Sequence, residues 1–563
     1  MLSLPPFLLF YLAAAIAPLT TGRTRDVVLV LTPLLGALNL WYMPEVGQVD
    51  VVFLALELTP VRIDGLSLLF GYLFHIAALI GIVYALNVRD TLQQVSALLY
   101  AGSALGAVFA GDLLSFLLFW EGLALSSVCL VWARRTPEAY SAGVRYLIIQ
   151  IASGLLLLLG LALYWQATGT LEFNRIGTGS VYGWCIFFAL GLKAAFPLLH
   201  SWLVDAYPEA TPSGAVFLSA FTTKVAIYAL VRGFPGTELL VYLGATMACV
   251  PIFFAVIEND LRRVLAYSLI NQLGFMVVGV GIGTPLALNG AVAHAFNDVI
   301  FKGLLFMSMG AVLHMTGKIN GSELGGLYKT MPKTTVLCII GAASISAFPL
   351  FSGFVSKSMI MSAALDAGYN GIWLLLLFAS AGVFHHAGIK IPYFAFFAHD
   401  SGIRAADPPG NMLMAMTIAA TLCIAIGVFP ELLYQALPFQ VSYSPYDTTH
   451  VLVQLQLLLF SALAFVWLNK RGLYPPEINA VHLDLDWTYR RLLPRLGRPV
   501  VVALSRLDSA LRREVQRRVQ RSLECVRRLH GTGGLLSRRV TAGTMVGWVT
   551  LILAVYLLLL LLA

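Results

Sequence analysis

"GLKAAFPLLHSW", residues 191–202, places a lysine, a proline and a histidine in a run whose other members are almost all apolar or small. A charge near mid-membrane costs roughly 2.5 to 3.5 kcal/mol on insertion scales, and a proline removes a backbone donor. Something in the folded chain must offset both. The setting is fixed by composition: of 563 residues, 59% are hydrophobic and 11% charged, and mean hydropathy is +0.83, whereas soluble domains carry about 25% charged residues. This is the composition of an integral membrane protein. A hydrocarbon core about 30 Å thick needs about 20 apolar residues per helix. About sixteen such stretches follow one another, centred near residues 12, 34, 75, 100, 122, 154, 190, 220, 247, 273, 300, 348, 385, 420, 460 and 552. The first lacks a basic start and reads as a retained helix, with a cleaved signal peptide as the alternative.

The six cysteines, Cys129, Cys185, Cys249, Cys338, Cys423 and Cys525, stand far apart with no C-x-x-C pair, which argues against a ligated cluster or structural zinc. No phosphate-cradling glycine loop is present either. No cofactor, metal or ATP site is expected, and the chain reads as a transporter component rather than an enzyme.

Basic residues alternate in the loops. Those after odd-numbered spans hold thirteen (Arg23, Arg25, Arg89, Arg134, Arg135, Arg262, Arg263, Lys318, Lys329, Lys333, Arg404, Lys470 and Arg471), and those after even-numbered spans hold three (Arg62, Arg175 and Arg232). By the positive-inside rule this places the N-terminus outside and the loop after the fifteenth span in the cytoplasm. Between about 486 and 530 that loop carries Leu504, Leu507, Leu511, Val515, Val519, Leu523, Val526 and Leu529 at helical spacing, with an arginine-rich opposite face. Such a helix suits an anionic lipid surface better than nucleic acid, because an apolar span, "GWVTLILAVYLLLLLLA", follows it closely. The net charge of +8 then requires no acidic substrate.

Ionisable residues inside spans are functional candidates by default. They are Glu121, Lys193, His200, Lys224, His294, Asp298, Lys302, Lys357, His385, His386 and Lys390. A single intramembrane lysine can be a packing residue that extends its ammonium toward the interface. Five lysines interleaved with histidines cannot all be. Lys390 and the paired histidines, near a span end, remain open between structural and functional roles. Pro197 lies one turn after Lys193, and Pro349 precedes "FSGFVSK" in another span. Helix breaks at membrane depth persist only where freed carbonyls face protein or a wet cavity, so each break implies a hydrated pocket beside its lysine. In such a pocket desolvation opposes the ammonium while a nearby carboxylate, Glu121 for Lys193, favours it. A lysine balanced between those effects can load and release a proton. Residues 294, 298 and 302 lie one turn apart, so Asp298 is expected to favour protonation of both His294 and Lys302, or to pair with Lys302.

"FWEGLALSS", "GLKAAFPLLHSWLVDAYPEATPSGAVFLSAFTTKVAIYAL", "DLRRVLAYSLINQLGFM", "HAFNDVIFKGLLF" and "SISAFPLFSGFVSK" resemble the antiporter-like, proton-conducting subunits of respiratory complex I, membrane-bound hydrogenases and Mrp-type cation/proton antiporters. The resemblance covers roughly residues 60–430. "PPGNMLMAMTIAATLCIAIGVFPELLY" and, more weakly, "YPPEINAVHLDLDWTYRR" are similar to the D-subunit branch of the Mrp type. The resemblance implies an all-α fold: a fourteen-helix core with two inverted five-helix repeats and one broken helix in each, plus a surface helix and a final span. It implies roles for Glu121 on the fifth span, Lys193 on the broken seventh, Lys224 on the eighth, His294 and Lys302 on the eleventh, and Lys357 on the broken twelfth. Asp298 departs from the pattern, since many relatives carry a second histidine there.

The domain boundaries expected are 1–90 for the first spans, 91–400 for the conducting core with repeats near 91–233 and 236–400, 401–470 for the last core helices, 471–540 for the basic surface segment and 541–563 for the final span. The expected function is proton translocation within a multi-subunit Na+/proton antiporter of the cell (inner) membrane. Its expected partners are other membrane subunits, protons, Na+ and anionic lipid, with no nucleic acid. The alternatives are a proton-pumping subunit of a redox complex, either dehydrogenase or hydrogenase, and the membrane partner of an inorganic-carbon uptake complex.

Overall fold

The computed structural model describes residues 4–53, 56–478, 484–485, 487–531, 534 and 541–562. In chain order the helices are α1 (Leu8–Ile16), α2 (Gly22–Trp41), α3 (Gly65–Ala85), α4 (Thr91–Phe109), α5 (Leu113–Trp132), α6 (Pro137–Thr168), α7 (Val181–Lys193), α8 (Ser201–Ala206), α9 (Pro212–Ala220) and α10 (Thr222–Gly233). They continue as α11 (Leu239–Ile257), α12 (Leu261–Ile282), α13 (Pro285–Thr316), α14 (Pro332–Ile345), α15 (Ser352–Asp366), α16 (Asn370–Val383), α17 (Gly410–Val428), α18 (Glu431–Tyr434), α19 (Thr448–Lys470), α20 (Leu493–His530) and α21 (Ala542–Leu562). The all-α expectation misses one feature. An antiparallel hairpin, β1 (Gly47–Phe53) with β2 (Leu56–Ile63), joins α2 to α3; its β-branched residues alternate with charged ones, a pattern easily taken for loop.

Among the described residues, twelve helices are long and apolar enough to cross a membrane. The other four expected spans are helical too, but differ in kind. Leu8–Leu19 is short, α2 opens on Arg23, Arg25 and Asp26, and the seventh and twelfth spans are each divided, as α7/α8 and α14/α15.

The starts of the helices are written in their caps. Asp64, Asp90, Asp112, Thr136, Asp260 and Thr284 each accept a backbone N–H of the following first turn, satisfying donors that a helix start leaves free. These caps also mark an internal repeat. α6 and α13 are both 32 residues long, both begin Thr-Pro, and both end on a glycine in the left-handed region, Gly169 and Gly317 at φ +71°. Each is followed by the sequence Ala-Phe-Pro-Leu at the break of the next span, residues 195–198 and 347–350. The backbone repeats as well: φ is +61° and +71° at Ala195 and Leu198, and +58° and +73° at Ala347 and Leu350. Phe196 N–H donates to the Gly191 carbonyl at 3.0 Å, and Phe348 N–H donates to the Ala343 carbonyl at the same distance. Five spans separate each element from its counterpart. An odd number reverses the direction of crossing, so the two repeats run through the membrane in opposite senses.

Close backbone approach holds the second repeat. α11 packs along α12, and a Cβ on Gly244 would stand 2.6 Å from the Val278 nitrogen; small residues at such crossings are how helices associate when lipid is as apolar as leucine.

The chain divides into two compact units, residues 1–484 and 485–563. The first therefore extends past 471, because Tyr474 packs among Phe394, His385 and Phe465. In the second, α20 is a 38-residue amphipathic helix and α21 an apolar one, with no buried residue on either. The expected surface segment around residues 479–483 lies outside the described residues.

A Cβ on Gly274 would collide with the backbone of α11 at Ala248. Gly274→Val is expected to destabilise the fold by at least about 1–3 kcal/mol, the usual range for overpacking. Gly371→Val, at a position with open space around it, should remain near wild type. Accumulation and melting of the detergent-purified variants check both.

Candidate functional site

Lys193 is the last residue of α7, fully buried at the break. Its Nζ donates to the Trp120 carbonyl at 2.5 Å and lies 4.2 Å from the centre of the Trp120 ring. The indole is fixed in turn, donating to Ser153 Oγ at 3.1 Å while Ser153 donates to the Ala189 carbonyl. The hydrated pocket expected beside Lys193 is thus partly filled by an aromatic ring, which supplies a cation–π contact. Glu121, one residue after Trp120, does not bond Lys193. Its Oε1 has no hydrogen-bond partner among the described residues and lies in the space where Gly154 of α6 lacks a side chain.

The largest departure concerns Asp298. It pairs not with Lys302 but with Lys224, Oδ2 to Nζ at 2.6 Å, and both side chains have zero exposure. The cause is a helix break that no sequence signal announces. α9 and α10 are separated at Phe221 (φ −106°, ψ −68°), and Lys224 Nζ donates at 3.0 Å to the Ser219 carbonyl beside it. The break turns the lysine toward α13, and the resulting ion pair joins the two repeats. α13 is continuous, so His294, Asp298 and Lys302 do share one helix at one-turn spacing. Lys302 Nζ instead donates to Ser268 Oγ on α12 at 2.8 Å.

His294 lies between α12 and α15, with Nε2 3.2 Å from Gln272 Oε1 and Nδ1 2.9 Å from Ser356 Oγ. Ser356 precedes Lys357, whose Nζ donates at 2.8 Å to the Ile345 carbonyl at the end of α14. Here the expectation of a cavity beside a broken helix is met. A cavity of about 110 Å³ runs from Lys357 past Ser358 and Ser362 to His450 and Gln454 of α19, room for several waters by volume.

Two buried hydroxyl pairs add to the residues expected from the sequence. Tyr100 OH and Thr222 Oγ1 are 2.7 Å apart, two residues from Lys224, and Ser127 Oγ and Tyr146 OH are 2.8 Å apart. Tyrosine and threonine in apolar helices carry no charge signal, which is why only geometry brings them out. Arg262, expected as a loop cation, is buried and donates to the Ala210 carbonyl at 2.9 Å, bracing the turn before α9. His200 immediately precedes α8, with Nε2 3.4 Å from Asp484 Oδ1. His385, His386 and Lys390 sit on a π-helical continuation of α16, residues 384–390, which packs against α12 and α14. His386 is fully buried.

Residues 110–429 match the family model described as "NADH:quinone oxidoreductase/Mrp antiporter, TM". The chain is similar to the A-subunit of the Na+/H+ antiporter of Alkalihalophilus pseudofirmus, at 30% identity over 426 residues, covering 66% of this chain and 53% of that protein. It is similar to the D-subunit of the Na+/H+ antiporter from the same organism at 29% identity over 359 residues, covering 59% and 71%. Among solved structures it is similar to the Mrp complex from Dietzia sp., with a TM-score of 0.73 at 25% identity, covering 99% of this chain and 63% of that one. The chain spans about half the length of the first curated relatives it matches. With its matched region exceeding half of its length, this multi-pass membrane protein belongs to the NADH:quinone oxidoreductase/Mrp antiporter transmembrane family.

Proposed function

We propose that this chain is a proton-translocating subunit of a multi-subunit monovalent cation (Na+)/proton antiporter in the cell (inner) membrane. Its protons move along Glu121 and Lys193, Lys224 and Asp298, then Lys302, His294 and Lys357, while the cation crosses elsewhere in the complex. The observation that carries this reading is the buried Lys224–Asp298 pair, which links the lysines of the two repeats. Asp298 shares a helix with Lys302 one turn on, so its carboxylate can stabilise one ammonium at a time. Charge arriving on Lys302 competes for the anion paired with Lys224, and the competition couples the two lysines. The hydroxyls of Tyr100, Thr222, Ser127 and Tyr146 supply donors and acceptors around the interval from Lys193 to Lys224. The loop charges orient the N-terminus outside and the basic segment 471–540 in the cytoplasm, with α20 on anionic lipid.

The family description also names a quinone oxidoreductase, so a redox-driven complex is the second reading. Co-purification from native membranes separates the two: antiporter subunits support the first, dehydrogenase or hydrogenase subunits the second.

In vesicles holding the assembled complex, Lys193→Ala is expected to lose proton flux, read by quenching of a pH-sensitive dye, while still inserting. Lys193→Arg should fail equally, since a guanidinium stays protonated throughout the accessible pH range. Normal flux in either removes Lys193 from the path.

Asp298→Asn leaves the Lys224 ammonium buried and unpaired, which costs about 3–5 kcal/mol when a buried pair loses one partner. The expected result is poor accumulation together with lost flux. Lys224→Met combined with Asp298→Leu should recover accumulation without flux, and recovered flux would refute the relay.

A Cβ at residue 154 must push the Glu121 carboxylate aside. Gly154→Ala should therefore accumulate normally yet lower flux to the level of Glu121→Gln. Wild-type flux in Gly154→Ala together with impaired flux in Glu121→Gln would show that the position of this carboxylate is immaterial.

A further inference from the structure

Lys390 lies outside the relay, and its surroundings are those of an ion site. Its Nζ has zero side-chain exposure and four oxygens around it: the carbonyls of Val256 at 2.7 Å, Glu258 at 2.6 Å and Ala255 at 3.3 Å, and Glu477 Oε1 at 2.9 Å. Three of these are main-chain oxygens at the C-terminal end of α11, where a helix leaves carbonyls without intrahelical donors and its dipole is negative. The fourth belongs to a carboxylate whose side chain is 5% exposed. Beyond Lys390, neither Glu477 oxygen has a hydrogen-bond partner among the described residues. Burial pushes the Glu477 carboxyl above its ordinary range even with the ammonium beside it. The other acid nearby is compensated separately: the Glu258 carboxylate accepts the backbone N–H groups of Asn259 and Asp260 and lies 4.0 Å from Arg263.

We propose that the carbonyls of residues 255, 256 and 258 and the carboxylate of Glu477 form a binding site for a dehydrated monovalent alkali cation, with the Lys390 ammonium as its tethered occupant. One formal negative charge and three neutral carbonyls match a single positive charge, and helix C-terminal carbonyls are an established way to hold an alkali ion within a membrane protein. An ammonium group and a potassium ion are of similar size, so the cage that fits one fits the other. The lysine stem is flexible and its root lies on π-helical backbone, where the ordinary helical ladder is already interrupted. Withdrawal of the ammonium would leave Glu477 buried and uncompensated, and a cation from solution would take its place. The site is independent of the proton relay and stands or falls separately from it.

The test uses the purified full-length chain with Lys390→Ala and, separately, Lys390→Gln, melted in potassium chloride, sodium chloride or choline chloride at equal ionic strength. Either variant is expected to melt higher in potassium or sodium than in choline, with a shift that saturates with concentration as a binding isotherm. Wild type should show little of this, and adding Glu477→Gln to either variant should abolish it. Equal melting in all three salts overturns the proposal. So does a shift that survives Glu477→Gln, which would place the ion elsewhere. Failure of both single variants to accumulate in a potassium-rich cytoplasm overturns it too, because a cation able to replace the ammonium would have restored the fold. The readout is melting in defined salts and not proton flux, so this site and the relay are tested by different measurements.

Discussion

A carboxylate and an ammonium 2.6 Å apart with no exposure, Asp298 and Lys224, are the contact on which the arrangement of the two repeats depends. Removing either partner would leave the other buried without its counter-charge, at a cost of about 3–5 kcal/mol. Forming the pair requires that Lys224 be turned by the break at Phe221 and that α13 bring Asp298 to it unbroken. Three other buried lysines follow a related rule. Lys193, Lys302 and Lys357 each donate to one oxygen, of Trp120, Ser268 and Ile345 respectively, and none of these acceptors is a charged group. The proposed relay thus has three lysines on neutral supports, one lysine paired with Asp298, and a second carboxylate, Glu121, without a hydrogen-bond partner at Oε1 among the described residues.

Much of this was legible from residues alone, and the reasons are physical. Charges in an apolar run are conspicuous because they are expensive, so Glu121, the lysines and the histidines stand out directly. Proline in such a run announces a break, as at Pro197 and Pro349. Apolar stretches of about 20 residues mark the candidate spans, twelve of which are single helices long and apolar enough to cross a membrane among the described residues. What could not be read was anything set by rotation of one helix against another. The break at Phe221 has no proline or glycine to mark it, and it redirects Lys224 toward Asp298 in place of Lys302. Lys193 meets the carbonyl of the residue before Glu121, a difference of one position that no spacing rule resolves. The repeated Ala-Phe-Pro-Leu and the matched Thr-Pro starts of α6 and α13 were present in the sequence, and a search for internal repeats would have found them.

Tyr474 and Glu477 are packed into the first unit, and the basic helix α20 begins at Leu493. Within the first unit, Tyr474 and Glu477 are therefore anchored on the π-helical segment that carries His385 and Lys390. The acidic residue of this pair compensates a lysine of the core, which gives the unusual composition of "YPPE" a structural use.

The two helix breaks use alanine and leucine, not glycine, at left-handed φ. A side chain in that region costs on the order of 1–2 kcal/mol relative to the right-handed one, so the surrounding packing must impose it. A glycine there would move freely between conformations and serve as a hinge. Alanine held in one strained state by its neighbours behaves as a fixed corner. The backbone beside Lys193 and Lys357 is then a fixed frame, and the open space at the second corner is the cavity that Lys357 lines.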